Sequence, residues 1–155
     1  MSRFSQLPSS ELFKALESAA PTDTLPDTMT LLDAVRFNAE GLLPAIAQQH
    51  DTKEVLMMAW MNREALEETL ATHRVCYYSR SRKKLWRKGE SSGQQQHLKS
   101  AALDCDGDTL LLEVEQTGPA CHTGRRSCFY LSLTDEQAKI NSEPLIDPAE
   151  LYGNQ

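Results

Sequence analysis

Apolar and polar positions alternate most regularly over residues 109–116, where Leu110, Leu112 and Val114 fall on one face and Glu113 and Glu115 on the other. A period of two marks a half-buried strand. Residues 98–104 read as its partner, because Asp106-Gly107 between the two is a strong hairpin turn pair. Residues 55–60 form an unbroken apolar run, consistent with a central strand. Residues 42–48 make another strand, interrupted or edged by Pro44, which cannot donate to a ladder. Residues 75–79 are strand-like in their β-branched and aromatic content, and residues 128–133 give a last strand. Helical spacing occurs elsewhere. Asn62 is a good N-cap for residues 63–72, with Leu66 and Leu70 four apart. Ser9-Ser10 can cap a short helix whose apolar face is Leu12, Phe13, Leu16 and Ala20. A second short amphipathic piece covers about residues 31–37. Between these two, residues 21–27 hold two prolines and read as a linker that few core contacts should cross. The predicted fold is α+β and compact, with a mostly antiparallel sheet and short helices. Residues 1–35 form an extension and linker, residues 36–133 the body, and residues 134–155 a tail with two prolines.

Composition narrows the class. The chain has 155 residues, enough for one domain with a real core. It is 40% hydrophobic and 25% charged, which excludes collagen-like, coiled-coil and fully disordered chains. The net charge of −6 makes it a poor general binder of nucleic acid or anionic membrane. No stretch approaches the ~18 apolar residues of a membrane span, and no apolar run follows the first residues as in a secretory signal. The expected compartment is the cytosol, where thiols stay reduced. Four cysteines there suggest metal or catalysis before disulfides.

Cys105, Cys121 and Cys128 lack the C-x₂-C spacing of a zinc finger. Three thiolates suit a zinc shell with one open position, the catalytic pattern. The bland alternative is three unrelated buried cysteines. The turn-forming neighbours Gly118-Pro119 and His122-Thr123-Gly124 speak against it. Cys76, inside a strand, reads as a small core residue. Asp104, Asp106 and Asp108 surround Cys105. Carboxylates this close need a cation or raised pKa values, and hard oxygens suit Mg²⁺ or Ca²⁺. An EF-hand is excluded because Thr109 stands where its loop needs glycine. If residues 104–106 are extended, the aspartates point to one face and Cys105 to the other, so two separate metals are expected. His122, beside Cys121, is a candidate fourth ligand or general base. His50 and His73 read as surface histidines, and His97 stays ambiguous.

Residues 79–93 carry six basic residues and one acid within this acidic chain. A basic loop rich in Gly and Ser fits a small phosphorylated ligand. A long nucleic acid would be repelled by the acidic remainder, and a solvated charged loop is the plain alternative. Trp86 can stack on a base or anchor the loop.

Five stretches together resemble the phosphoribosyl-AMP cyclohydrolase family. They are residues 55–62 (VLMMAWMN), 78–82 (YSRSR), 85–93 (LWRKGESSG), 104–108 (DCDGD) and 118–124 (GPACHTG), the last followed by Ser127-Cys128-Phe129. They come in family order over about residues 37–130, with residues 1–35 and the tail outside. The resemblance implies hydrolytic opening of the adenine N1–C6 bond of 1-(5-phosphoribosyl)-AMP in L-histidine biosynthesis. The product is the phosphoribosylformimino-aminoimidazole carboxamide ribonucleotide, and the attacking water is acidified by zinc. The resemblance also implies Zn²⁺ on Cys105, Cys121 and Cys128, and Mg²⁺ on Asp104, Asp106 and Asp108. It implies a homodimer with the zinc site shared, Cys105 of one subunit meeting Cys121 and Cys128 of the other. Metal sites would then lie at strand ends and the dimer interface. Arg80, Arg82, Trp86, Lys88, Gly89, Ser91, Ser92 and Gly93 are the expected substrate contacts, and His122 the expected base. Some relatives carry a fused C-terminal pyrophosphohydrolase domain, for which this tail is too short. Two rival classes fit parts of the pattern. A zinc nucleobase deaminase needs H-x-E and P-C-x-x-C, which are missing. A non-catalytic zinc-stabilised nucleotide-binding module would bind without turnover.

Overall fold

The structure is a computed structural model that describes residues 2–152. Its elements run α1 (Ser9–Leu16), α2 (Thr28–Ala34), β1 (Leu43–Gln49), β2 (Val55–Met61), α3 (Arg63–Thr72), β3 (Cys76–Ser79), β4 (Lys84–Arg87), β5 (Gln96–Leu103), β6 (Leu110–Gln116), β7 (Leu131–Leu133), β8 (Ala138–Ile140) and α4 (Pro148–Tyr152). The main sheet has the order β2-β1-β6-β5. Both outer pairs are antiparallel and the β1–β6 pair is parallel. Two small hairpins, β3–β4 and β7–β8, are also antiparallel. This is the mixed α+β architecture expected from the pattern.

Local chemistry explains most elements. The Asn62 side chain accepts from the Ala65 amide and starts α3, which ends at left-handed His73. In β6 the residues at even positions are buried, so its alternation holds. Tyr77, Leu43, Leu56, Met61, Leu66 and Leu112 are fully buried between sheet and helices, each worth about 1.5–3 kcal/mol by removal from water. Cys76 is buried as expected, and Thr69 Oγ1 ties α3 to β3 by accepting from its amide at 2.9 Å.

Several expectations are corrected. The helix at Ser9 starts from Pro8, with no side-chain cap. The second helix occupies residues 28–34 and is capped by Asp27, whose carboxylate accepts from the Thr30 amide. The apolar run at residues 55–60 lies in β2, an outer strand, whereas β1 is interior despite Pro44. Proline is tolerated because β1 pairs with β6 only from Ala45 onward. Residues 104–106 turn instead of extending, and the last predicted strand is reduced to Leu131–Leu133. The proline-rich linker does not isolate the N-terminus: Phe4, Leu12, Phe13 and Leu32 belong to the same buried cluster as the sheet.

Candidate metal and substrate site

The turn between β5 and β6 gathers Asp104, Asp106 and Asp108, with one oxygen of each within 4.8 Å of the others. The Asp108 amide donates to Asp104 Oδ1 at 3.1 Å, and the Gly107 amide to the Asp104 carbonyl at 3.1 Å. These contacts curl the loop so that all three carboxylates face one point. Asp108 is pushed above its ordinary carboxylate value, first by its bond to Asp104, then by slight burial and the charges of Asp104 and Asp106. Asp104 is held below it. Desolvation opposes that, but the amides and the Asp108 contact outweigh it. Three carboxylates crowded on one turn repel one another, and an all-oxygen set fits Mg²⁺.

The cysteines divide into a pair and a single. Cys121 ends a tight loop in which its amide donates to Arg125 O at 3.1 Å and Gly124 N donates to its carbonyl at 3.0 Å. Cys128 is held by its amide bond to Leu56 O at 2.7 Å, which ties the loop to β2. Burial pushes the Cys121 thiol up, but the Thr123 hydroxyl, 3.1 Å from its sulfur, together with the Thr123 amide, Cys128 and Lys88 brings it below its usual value. Burial and then the Cys121 charge push Cys128 up to about 12. The two thiols thus shift each other in opposite directions, and such a soft pair suits a soft divalent ion. Cys105 is exposed on the aspartate turn, and among the described residues no metal-sized cluster contains a cysteine. Cys121 and Cys128 thus interact within one chain, and among the described residues no three-donor cluster joins Cys105 to them. His122 stands next to Cys121 and is exposed.

The basic segment folds into β3–β4 and the turn after it. Arg82, Trp86, Lys88, Gly89, Ser91 and Ser92 line one cavity of about 270 Å³. Arg80 lies apart, stacked over the Trp60 ring at 5.1 Å and beside a second depression with Tyr78 and Lys83. Gly93 is exposed at the turn's end. Trp86 packs on Tyr77 with ring centres 5.0 Å apart, so it anchors the hairpin while edging the cavity. Lys88 is buried and donates to the Ala120 carbonyl at 2.5 Å. Its ammonium therefore sits at the base of the Cys121 loop, joining the basic cavity to the thiol pair. Gly89 is required here: its φ is +85°, and a Cβ would meet the Gln94 backbone at 2.6 Å.

Four supporting residues escaped the sequence reading. Gln116 Nε2 donates to Gln94 O, Thr117 O and Pro119 O, and its amide donates to Gln49 Oε1. Arg126 donates to Gln49 Oε1, Gln116 O and Gly118 O. Gln96 bridges Tyr77 and Gln116. This buried network fixes the loop that carries Cys121. A signal was present: Gln116 has the same inward parity as Leu110, Leu112 and Val114, so it is a polar residue at a core position.

A family model described as phosphoribosyl-AMP cyclohydrolase matches residues 57–130. A relative of that name from Chromohalobacter salexigens is 69% identical over 143 residues, covering 92% of this chain and 97% of the relative. Another from Alkalilimnicola ehrlichii is 67% identical over 91% of this chain and 99% of its own length. A third, from Rhodospirillum rubrum, is 62% identical over 85% of this chain and 93% of its own. The chain belongs to the phosphoribosyl-AMP cyclohydrolase family. The family match contains all three aspartates, Cys105, Cys121, Cys128 and the whole basic segment. With 143 of 155 residues matched to the Chromohalobacter relative, the similarity also reaches into residues 1–35, beyond the motifs that first carried it. Among the described residues no helix is long and apolar enough to cross a membrane.

Proposed function

We propose that this chain hydrolyses 1-(5-phosphoribosyl)-AMP at the adenine N1–C6 bond, in the cytosol, as a step of L-histidine biosynthesis. The observation that carries the reading is the division of donors. Soft thiols sit on the loop that Lys88 of the basic cavity reaches, and hard carboxylates sit on a separate turn. Cys105, Cys121 and Cys128 would hold Zn²⁺, and Asp104, Asp106 and Asp108 would hold Mg²⁺. The family resemblance supports a zinc shell completed between two copies in a homodimer, Cys105 of one copy joining Cys121 and Cys128 of the other.

A zinc ion in a three-thiolate shell supplies a Lewis acid and acidifies a water. The remaining work falls to side chains. The water oxygen bonds to C6, the C6–N1 bond breaks, and a proton passes to N1. The oxygen becomes the carboxamide carbonyl, and N1 becomes part of the formimino group. Three thiolates leave the site electron-rich, so a base that takes the water's proton is needed. The reading gives that task to His122, which is exposed beside Cys121. Arg82, Ser91, Ser92 and the Gly89 turn are suited to hold a substrate phosphate by charge-assisted hydrogen bonds. Arg80 would reach a second phosphate from the far side of the hairpin. The Lys88 charge, turned toward the Cys121 loop, would offset the thiolates.

The test is to load metal-free protein with zinc, add Mg²⁺ and phosphoribosyl-AMP, and follow the ultraviolet change on ring opening. Turnover is expected only with both metals. A zinc-replete protein that binds the nucleotide without turnover would reduce the chain to a binding module. Cys121→Ser should lose tight zinc and activity, whereas Asp106→Asn should keep zinc and require more Mg²⁺. Equal zinc loss in both would contradict two separate sites.

A further inference from the structure

The loop that carries Cys121 and Cys128 is gripped by the chain just after β8. At one end the Asn141 amide donates to Tyr130 O at 2.9 Å, and Asn141 Nδ2 donates to Phe129 O at 3.1 Å and Ser132 Oγ at 2.9 Å. Phe129 and Tyr130 are the two residues after Cys128. At the other end the Leu145 and Ile146 amides both donate to Gly124 O, at 2.8 and 3.4 Å. The Gly124 amide donates in turn to the Cys121 carbonyl at 3.0 Å and closes the turn around His122. Between the two ends Arg125 Nε donates to Ser142 O at 2.8 Å, and its guanidinium lies 4.2 Å from the centre of the Tyr130 ring.

Gly124 shows how close this approach is. Its φ is +86°, and a Cβ there would sit 1.9 Å from Ile146 O. Glycine is needed at that place both for its backbone angle and because the tail passes directly over it. We propose that residues 141–146 are a strap that holds the Cys121–Cys128 loop in its metal-binding shape, with Arg125 and Asn141 as its positioning residues.

The strap rests on the reading of Cys121 and Cys128 as zinc ligands given above. The loop is tied to the body on its inner side, where the Cys128 amide donates to Leu56 O and Arg126 reaches Gln49 and Gln116. The strap ties its outer side, next to each thiol in turn. A loop clamped on both sides does not have to be ordered when the ion arrives, so less conformational entropy is lost on binding. Arg125 and Asn141 act through main-chain neighbours of the ligands, as outer partners of a metal site do. The strap lies beyond residue 130, where the family match ends, so the tail is part of the site's scaffold.

The experiment compares full-length Asn141→Asp and Arg125→Gln with the unaltered chain. Zinc affinity is read by competition with a chromogenic chelator, the thiolate environment by the absorption of the Co²⁺-loaded forms, and stability by urea midpoints. Two controls are Glu143→Ala, exposed in the same segment, and Glu68→Gln, which breaks an ion pair between α3 and β4. Both strap variants should bind zinc about 10–100-fold more weakly, the usual effect of losing an outer partner, and should shift the cobalt–thiolate spectrum. Both controls should keep the unaltered affinity and spectrum. Unchanged affinity and spectrum in the folded strap variants would overturn the strap and leave the zinc ligands standing; if one variant does not fold, the other decides. An equal loss of affinity in Glu68→Gln would also overturn the strap, because zinc retention would then follow stability alone. An unaltered chain that binds neither zinc nor cobalt would overturn both readings.

Discussion

The Phe13 ring lies against Gly107: a methyl group on Gly107 would sit 2.4 Å from the ring's Cε2. Helix α1 is thereby pressed on the tip of the aspartate turn. Gly107 also needs its φ of +68°, and its carbonyl accepts from the Arg36 amide at 2.8 Å, tying in the chain just beyond α2. The N-terminal segment is part of the scaffold for the hard-metal loop. Phe13→Ala should lower stability by about 3–5 kcal/mol, as for large core truncations, and raise the Mg²⁺ concentration needed for turnover. Urea midpoints and a Mg²⁺ titration check this. Unchanged Mg²⁺ dependence would show that α1 serves packing alone. Deleting residues 1–27 should expose Leu66, Leu70 and Leu110 and cost solubility or folding.

The Gln116 amide group holds three carbonyls around the Cys121 loop. Gln116→Leu should strand those buried acceptors at a cost of about 1–3 kcal/mol and weaken zinc retention against a chelator. Tight zinc in this variant would mean that the loop is fixed by Arg126 and its own turn.

Glu68 and Arg87 form a two-pronged ion pair, 2.8 and 2.6 Å, between α3 and β4. The Arg87 bond is the chief cause that holds Glu68 below its usual value, against slight burial. A carboxyl depressed in the folded state stabilises above its unfolded pKa, about 4.3, and loses that contribution as pH falls through the folded value. Glu68→Gln should lower stability near neutral pH and flatten the fall on the acid side, modestly because the pair is partly solvated. Urea midpoints from about pH 7 to pH 3 decide it. Parallel curves for the two proteins would remove the pair from the account.

How much could be read in advance depended on how local each cause was. Asn62 and the β6 alternation are local, and α3 and β6 lie where the pattern put them. The aspartates converge as their spacing suggested, but through a turn, because Gly107 bends the chain where an extended segment was assumed. The run at Val55 is apolar enough for a central strand, yet β2 is an outer strand covered by α3 and the Cys128 loop. Periodicity measures burial and says nothing of strand order. The motif makes Lys88 an expected substrate contact, whereas its reach to Ala120 O depends on the fold of two distant loops. Cysteine spacing cannot tell a site within one chain from one between two.

Cys105→Ser and Cys121→Ser chains, each inactive alone, test the shared catalytic centre most directly. They are unfolded together, mixed equally and refolded with zinc beside a wild-type control that recovers. Random pairing makes about half the dimers mixed. In each mixed dimer one site takes both defects, and the other takes an intact Cys105 from one chain and intact Cys121 and Cys128 from its partner. Roughly a quarter of all sites should then regain zinc and turnover of phosphoribosyl-AMP, by the same two-fold pairing. No recovery, with mixed dimers demonstrated by mass, would contradict a zinc centre built between two copies.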